Sequence, residues 1–376
     1  MRILYLITDL GRGGAERSII DLCKQFKCFD DVDCVIGALF RNNEFEEETK
    51  DLDVEYLDYQ PNSLFKKSYT PKYHELVKKF NPDIIHTNRY LAEYLSSEFI
   101  YSDIIYICHG RDNMVQFENL KCRTVFNKTK LLNYIEKLQI INRKYKHKKT
   151  HFIANSTHTK SYFEKVLPKK QFRNISIIHN AIQYDKFYFE RKFDYINEPV
   201  RVVNVGSFQP KKNQGFIIEI AKELEKLGIN YQIDLLGDGD YKPIVQKKIA
   251  ENGLENKIIC HGVVKDVQKW LKMSDIYLHT AWYEPFGIVL LEAMASGLPI
   301  VCLDGKGNRD IIEDGINGFF LYQQDPREFA DRIEQILNDN ELRKKLSKNG
   351  QQFSKKFDMH QKANEYYHYY QNLLKA

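Results

Sequence analysis

The chain contains no uninterrupted stretch of about 18 apolar residues, so nothing in it reads as a membrane-spanning helix. The opening apolar run, Met1–Thr8, is too short for a secretory leader with a cleavage site. None of its cysteines (Cys23, Cys28, Cys34, Cys108, Cys122, Cys260, Cys302) forms a C-x-x-C pair, which argues against a zinc ribbon or a thioredoxin-type redox centre. Several sit in apolar runs, where a buried free thiol is the ordinary outcome, and the set suits a reducing compartment. Excess positive charge is small: a formal +5 excludes a polycation built for nucleic acid and leaves only local basic surfaces. No repeat with a period of roughly 20–50 residues and no low-complexity tract is present. The expected setting is cytoplasmic, at most peripheral at the inner face of a membrane.

What is present is enough apolar material for two cores: 376 residues at 43% hydrophobic exceed what one core supports. Short β-type runs alternate with helical patterns twice. The first set is Ile3–Thr8, Asp33–Phe40, Asp83–Thr87, Ile104–Cys108, Phe152–Asn155 and Ile175–His179. The second is Val200–Val205, Gln232–Leu236, Ile258–Cys260, Ile276–Thr280, Pro299–Leu303 and Gly318–Leu321. Continuous apolar strands between helices predict α/β architecture: two doubly wound Rossmann-like domains facing across a cleft. The charged, aperiodic stretch Tyr184–Pro199 places the break. Residues 1–190 are expected to form the first domain and 191–358 the second, with a helix over about 359–376 packing back on the first.

In open α/β sheets, ligands bind beyond the carboxyl ends of strands. After Ile276–Thr280 comes Ala-Trp-Tyr-Glu284-Pro-Phe286-Gly287-Ile288, with a helix starting near Gly287. The unpaired N–H groups of that first turn suit a diphosphate, and Gly287 lets the backbone approach it. Glu284, in the loop, and Glu292, over a turn further on, could each accept hydrogen bonds from sugar or ribose hydroxyls. The plain alternative is two ordinary helix-start and helix-face carboxylates. Gly206-Ser207-Phe208-Gln209-Pro210-Lys211-Lys212 follows the first strand of the second set; a glycine turn with lysine suits phosphate oxygens, against a solvated lysine pair. Asp9–Arg17 carries Gly11, Gly13 and Gly14 after the first strand but lacks the third glycine of a dinucleotide fingerprint. It reads as a tight turn or as a loop lying against phosphates and acceptor. His109 and His86 end two further strands, where a lone histidine is more often structural. Asp238 and Asp240 form a D-x-D, but with no third carboxylate nearby a turn explains them better than a metal.

Taken together, Glu284-Pro-Phe286-Gly287-x-x-x-x-Glu292-Ala-Met-Ala-x-Gly297-x-Pro299 resembles the E-x7-E element of the family 4 retaining glycosyltransferases (glycosyl transferases group 1), which have the GT-B fold. The resemblance covers nearly the whole second domain and thinner landmarks of the first. It implies a donor-binding second domain and an acceptor-binding first one. By resemblance, Glu284 contacts the transferred sugar, Glu292 the ribose, and Phe286, Gly287 and Ile288 lie by the phosphates. Lys212 neutralises the departing diphosphate, with Gly206, Ser207 and Lys211 around it. Many relatives carry Arg where this chain has Ser207, a lost bidentate clamp. Gly13 and Gly14 resemble the family's G-G-A-E approach point, and His109 matches a histidine that contacts donor sugar or orients acceptor. His179-Asn180-Ala181-Ile182 resembles its N-G-[IV]-D element with Ala181 and Gln183 as departures. Gly237 belongs to a Leu-Gly-x-Gly loop, and Gly307–Asp310 resembles G-G-x-x-E with Asp310 in place of Glu.

The implied reaction is transfer of a hexose-type sugar from a nucleotide diphosphate, UDP first and GDP next, to a glycan or lipid-linked acceptor. A nucleoside diphosphate already leaves well, so positive charge and N–H donors matter more than a general acid. No cofactor is required and no metal is expected; the nucleotide sugar is a substrate. His109, Lys212 and Glu284 are the expected catalytic residues. The stretch 121–149 is basic (Lys121, Arg123, Lys128, Lys130, Lys137, Arg143, Lys144, Lys146, Lys148, Lys149 against Glu136) with Leu131, Leu132, Tyr134, Ile135, Leu138, Ile140 and Ile141 interleaved. It reads either as a membrane-surface contact or as a packed helix with solvated lysines. No nucleic-acid reading motif accompanies it. A non-catalytic nucleotide-sugar module and a sugar-nucleotide epimerase are the competing functions.

Overall fold

A computed structural model describes residues 1–11, 13–60, 71–110, 127–193 and 196–375. The chain divides into two compact units, Met1–Asn180 with Met359–Ala376, and Ala181–Asp358.

The first unit runs β1 (Arg2–Ile7), α1 (Gly14–Phe26), β2 (Asp33–Ala38), α2 (Glu46–Thr49), β3 (Asp53–Tyr56), α3 (Pro71–Phe80), β4 (Ile84–Asn88), α4 (Tyr90–Glu98), β5 (Ile105–Gly110), α5 (Lys128–Asn142), β6 (Thr150–Ala154), α6 (Thr157–Val166) and β7 (Ile175–Ile177). Its sheet is parallel throughout, in the order β3-β2-β1-β4-β5-β6-β7. Ile3–Ile7 and all of β4 are buried, as strands covered on both faces must be, so they read as unbroken apolar runs. β3 was not anticipated. Its four residues alternate between exposed Asp53 and Glu55 and half-buried Val54 and Tyr56 at the sheet edge, so it carries no apolar run to recognise.

The second unit runs α7 (Tyr184–Phe187), β8 (Val200–Val205), α8 (Phe216–Lys226), β9 (Tyr231–Leu236), α9 (Lys242–Glu251), β10 (Ile258–Gly262), α10 (Val267–Met273), β11 (Ile276–His279), α11 (Ile288–Ala295), β12 (Ile300–Leu303), β13 (Phe319–Leu321), α12 (Pro326–Asn338) and α13 (Asn340–Lys355). Its parallel sheet has the order β10-β9-β8-β11-β12-β13. The units meet in sequence at Asn180–Ala181, earlier than the expected 190/191. The cause is packing: Ile182 donates its N–H to the Phe357 carbonyl (2.9 Å), and Tyr184 and Phe187 enter the apolar cluster around Leu290 and Phe357. A final helix, α14 (Met359–Lys375), belongs to the first unit, its Tyr370 ring 6.2 Å from that of Phe26.

Each sheet reverses its strand order once, between β1 and β4 and between β8 and β11. In sheets of this kind the carboxyl edge at such a reversal is where ligands bind.

Candidate functional site

In the second unit, α11 is apolar on nearly all sides and its Leu290, Leu291, Ala293, Met294 and Ala295 are buried. Gly287 caps it at φ 105°, ψ 56°, a left-handed conformation, and an added Cβ would stand 2.8 Å from Leu290 Cδ1. Glycine is therefore favoured chiefly by conformation, with the Leu290 side chain close by. Leu290 N already donates to the Gly287 carbonyl (2.9 Å), and the N–H groups of Ile288 and Val289 precede the regular helical bonds of α11. Phe286 turns its ring into the core, 1% exposed and 5.9 Å from Phe357. Its side chain thus packs beneath the loop.

Glu284 is held by the loop after β12. Its N–H donates to the Gly305 carbonyl (2.7 Å) and its carbonyl accepts from Gly307 N (2.9 Å). A Cβ on Gly307 would stand 1.7 Å from the Pro285 carbonyl oxygen, so only glycine lets the two loops close up. Between them Lys306 sits at φ 78°, ψ −65°, with Gly307 N donating to Gly305 O (3.1 Å). That is a γ-turn of the rare, strained hand, on a non-glycine residue. Asp304, 6% exposed, secures it: Lys306 Nζ lies 2.9 Å away, and Arg309 donates through Nε (3.0 Å) and Nη2 (2.6 Å). Burial alone would raise the Asp304 carboxyl; the Arg309 and Lys306 cations outweigh it and bring it down to about 2.

Lys212 reaches the same place from the loop after β8. Its main chain is clipped to the Glu284 loop: Thr280 Oγ1 donates to the Lys212 carbonyl (3.1 Å), Trp282 N to the Lys211 carbonyl (3.1 Å), and Trp282 Nε1 to the Pro210 carbonyl (3.1 Å). The Lys212 stem passes over Gly206, where an added Cβ would lie 3.8 Å from Cδ. Its ammonium donates to Glu284 Oε2 at 2.5 Å. His279, 1% exposed at the end of β11, brings Nε2 to 3.5 Å from the same oxygen. Burial pushes the Glu284 carboxyl up, but Lys212 and His279 more than offset this and hold it well below the usual carboxylate range. Burial keeps His279 below its ordinary value. The expected Glu284, Lys212, Gly206, Gly287 and Ile288 thus converge, with Lys211 half-buried, Ser207 exposed and Glu292 half-buried on α11. His279 and Asp304 were missed: one histidine closing an apolar run looks like core, and nothing in the sequence pairs Asp304 with Arg309.

Asp238 behaves as a turn acceptor, taking Gly239 N (2.8 Å) on one oxygen and Lys242 Nζ (3.2 Å) on the other.

In the first unit, Gly13 is half-buried and Gly14 exposed at the start of α1. Glu16, fully buried, folds back over Gly13, where an added Cβ would meet Oε2 at 2.2 Å, and ion-pairs with Arg89. Arg89 caps α4 at φ 71°, ψ 160°, backbone that few residues other than glycine adopt. His109 is the penultimate residue of β5, and its Nδ1 lies 3.2 Å from Nε2 of His86. In the basic stretch, Lys121 and Arg123 lie outside the described residues. Lys128, Lys130, Arg143, Lys146, Lys148 and Lys149 are exposed, beside exposed Ile135 and Leu138. Lys137 and Lys144 correct the picture of a wholly solvated set: Lys137 is buried, and Lys144 is 0% exposed, with Nζ 2.7 Å from both Glu93 Oε2 and Ser96 Oγ. Among the described residues no helix is long and apolar enough to cross a membrane.

Two doubly wound parallel sheets make a GT-B frame, and in the second unit the switch-point loops gather a lysine, a carboxylate and a helix N-terminus. The chain belongs to the glycosyltransferases of this class: residues 12–186 match the model of Glycosyltransferase Family 4 and residues 188–353 that of Glycosyl transferases group 1. It is 27% identical over 304 residues to the N-acetyl-alpha-D-glucosaminyl L-malate synthase of Bacillus anthracis, covering 77% of this chain and 73% of that one. Other curated relatives are matched over about half their length or less. Among solved structures, HepE of Anabaena, in complex with UDP and glucose, superposes with a TM-score of 0.78 at 21% identity over 99% of both chains. A mutant of S. aureus TarM holding UDP and alpha-GlcNAc-glycerol gives 0.76 at 15% identity over 100% of both.

Proposed function

We propose that this glycosyltransferase moves a hexose-type sugar from a nucleotide diphosphate to a glycan or lipid-linked acceptor, with retention of anomeric configuration and without a required metal. The observation that carries the reading is the Lys212–Glu284 pair at the β8/β11 switch point, beside the N-terminus of α11. A departing diphosphate gains about one negative charge at its terminal phosphate as the sugar–oxygen bond breaks, and what stabilises it is fixed positive charge and N–H donors. Lys212 supplies the charge, and Gly287 and Ile288 the N–H end of the helix. Glu284, ionised at all working pH values, accepts from hydroxyls of the transferred sugar, and Glu292 from the ribose. In the free protein Lys212 and Glu284 satisfy each other; the donor then takes up both partners, diphosphate on one and sugar on the other. Gly206, Ser207 and Lys211 line the phosphate side. Gly13, Gly14 and His109 of the first unit serve the acceptor and the sugar. UDP is the favoured nucleotide, since HepE and TarM hold UDP in their solved complexes, and GDP is next. A membrane-held acceptor would be met by Ile135 and Leu138 with their flanking lysines, in a cytoplasmic setting.

The test begins with a thermal-shift screen over UDP-, GDP- and ADP-sugars, where the true donor raises the melting temperature. With that donor, Lys212→Ala and Glu284→Ala are each expected to lose roughly a hundredfold or more in turnover. Wild-type turnover in both variants would sink the site assignment. An inverted anomeric signal in the product would sink retention alone.

A further inference from the structure

Behind His109 runs a chain of buried side chains that the transfer reaction as described does not use. His86 Nε2 faces His109 Nδ1 at 3.2 Å. The two ring centres are 5.3 Å apart and the planes inclined by 27°, so the rings meet edge to edge in a usable hydrogen-bond geometry. On its other side, His86 Nδ1 lies 2.7 Å from the Tyr370 hydroxyl, and that hydroxyl lies 2.9 Å from the hydroxyl of Tyr5. Tyr5 and Tyr370 are 0% exposed and His86 1%, so water does not compete for these groups.

Such a chain can be wired in two directions. In one, Tyr5 donates to Tyr370, Tyr370 to His86 Nδ1, and His86 Nε2–H to His109 Nδ1. Every hydroxyl hydrogen in the chain then has an acceptor. In the other direction His109 Nδ1–H donates to His86, His86 Nδ1–H to Tyr370, and Tyr370 to Tyr5. Among the described residues the buried Tyr5 hydrogen then has no oxygen or nitrogen acceptor, an arrangement that folded proteins avoid. We propose that Tyr370, on α14, is a positioning residue that acts through His86 to hold His109 as the neutral tautomer with its proton on Nε2. Burial, helped by His109 and Lys144, keeps His86 itself uncharged, as the relay requires. The tautomer of a histidine is set by what its other nitrogen bonds.

The consequence for the reaction is specific. His109 offers the substrate an N–H donor, suited to a sugar hydroxyl or a phosphate oxygen, and Nε2 is closed to use as a general base. This rests on the reading of His109 as a residue of the transfer site.

The experiment labels the histidine ring nitrogens of the full-length protein for NMR and assigns His109 from the spectrum of His109→Ala. The expected spectrum shows His109 Nε2 protonated and Nδ1 unprotonated. In Tyr370→Phe, which keeps the ring and removes the hydroxyl, His109 is expected to become a mixture of tautomers, and turnover to fall about tenfold with the donor KM unchanged. A proton on Nδ1 in the wild type overturns the proposal even if Tyr370→Phe fails to fold. So does a folded Tyr370→Phe with unaltered His109 signals. Full activity in His109→Ala removes the functional reading of His109 and leaves the tautomer result to stand or fall by itself.

Discussion

At the scale of single residues, the recurring device is a buried carboxylate kept ionised by cations on neighbouring loops. Asp304 illustrates its pH signature. Its folded value, about 2, lies below the ordinary 3.8, so the stability it contributes is fully present above about pH 4 and is lost as pH falls toward 2. The melting-temperature gap between wild type and Asp304→Asn is therefore expected to stay constant from pH 7 to about pH 5 and to close below about pH 4. A gap that persists at pH 2 would show that Asp304 acts by packing alone. Legibility differed sharply among these residues. Glu284 and Lys212 could be singled out because each follows an apolar strand, and strand ends in parallel sheets are where ligands bind. Asp304 and His279 also end strands, yet a lone polar residue there has no spacing that separates a functional partner from a satisfied core group. Lys306 was less legible still, because its γ-turn is imposed by the two glycines beside it and by Asp304.

At the scale of elements, close approach between loops sets the site. Gly307→Ala would place a methyl 1.7 Å from a backbone oxygen that cannot rotate away, so the Glu284 loop must shift. Gly253 makes the matching control: it has φ 68° and nothing within 4 Å of an added Cβ, so Gly253→Ala costs about 1 kcal/mol of backbone strain only. Thermal melting should show the larger loss for Gly307→Ala, with turnover falling in that variant alone; equal losses would mean the loops are compliant. The second element-scale case is α4, tied by Glu93 to buried Lys144. Lys144→Met strands a buried carboxylate and is expected to cost about 3–5 kcal/mol, while adding Glu93→Leu restores part of it. Denaturant unfolding reads both, and an additive double variant would show that the ion pair is not coupled. From sequence, Lys144 looked like one more exposed lysine in a basic run. Charge density identifies such a run, but only the fold decides which members turn inward. Edge strand β3 was illegible for the opposite reason, having no buried face to generate a pattern.

At the scale of the whole molecule, the repeated succession of apolar strands and helices was enough to read two doubly wound units, because a parallel sheet covered on both faces has no other sequence form. The boundary was less legible, since Ala181–Phe187 is short and its partners near Phe357 lie far along the chain. The first unit is discontinuous in sequence: α14 returns to it after the whole second unit has intervened. A chain ending at Asp358 is expected to keep the second unit's cooperative melting transition and lose or lower that of the first, where α14 covers Phe26 and Tyr5. Calorimetry with limited proteolysis would separate the two, and an undisturbed first transition would show that α14 is dispensable.

Chain order gives that arrangement a temporal side. During synthesis Ala181–Asp358 leaves the ribosome before Met359–Lys375 does, and all its strands are contiguous, so the second unit can finish folding while the first still lacks its last helix. The hydroxyl that Tyr370 adds to His86 arrives after the whole second unit. A nascent chain can therefore carry a complete Lys212–Glu284 pair before α14 has joined the first unit.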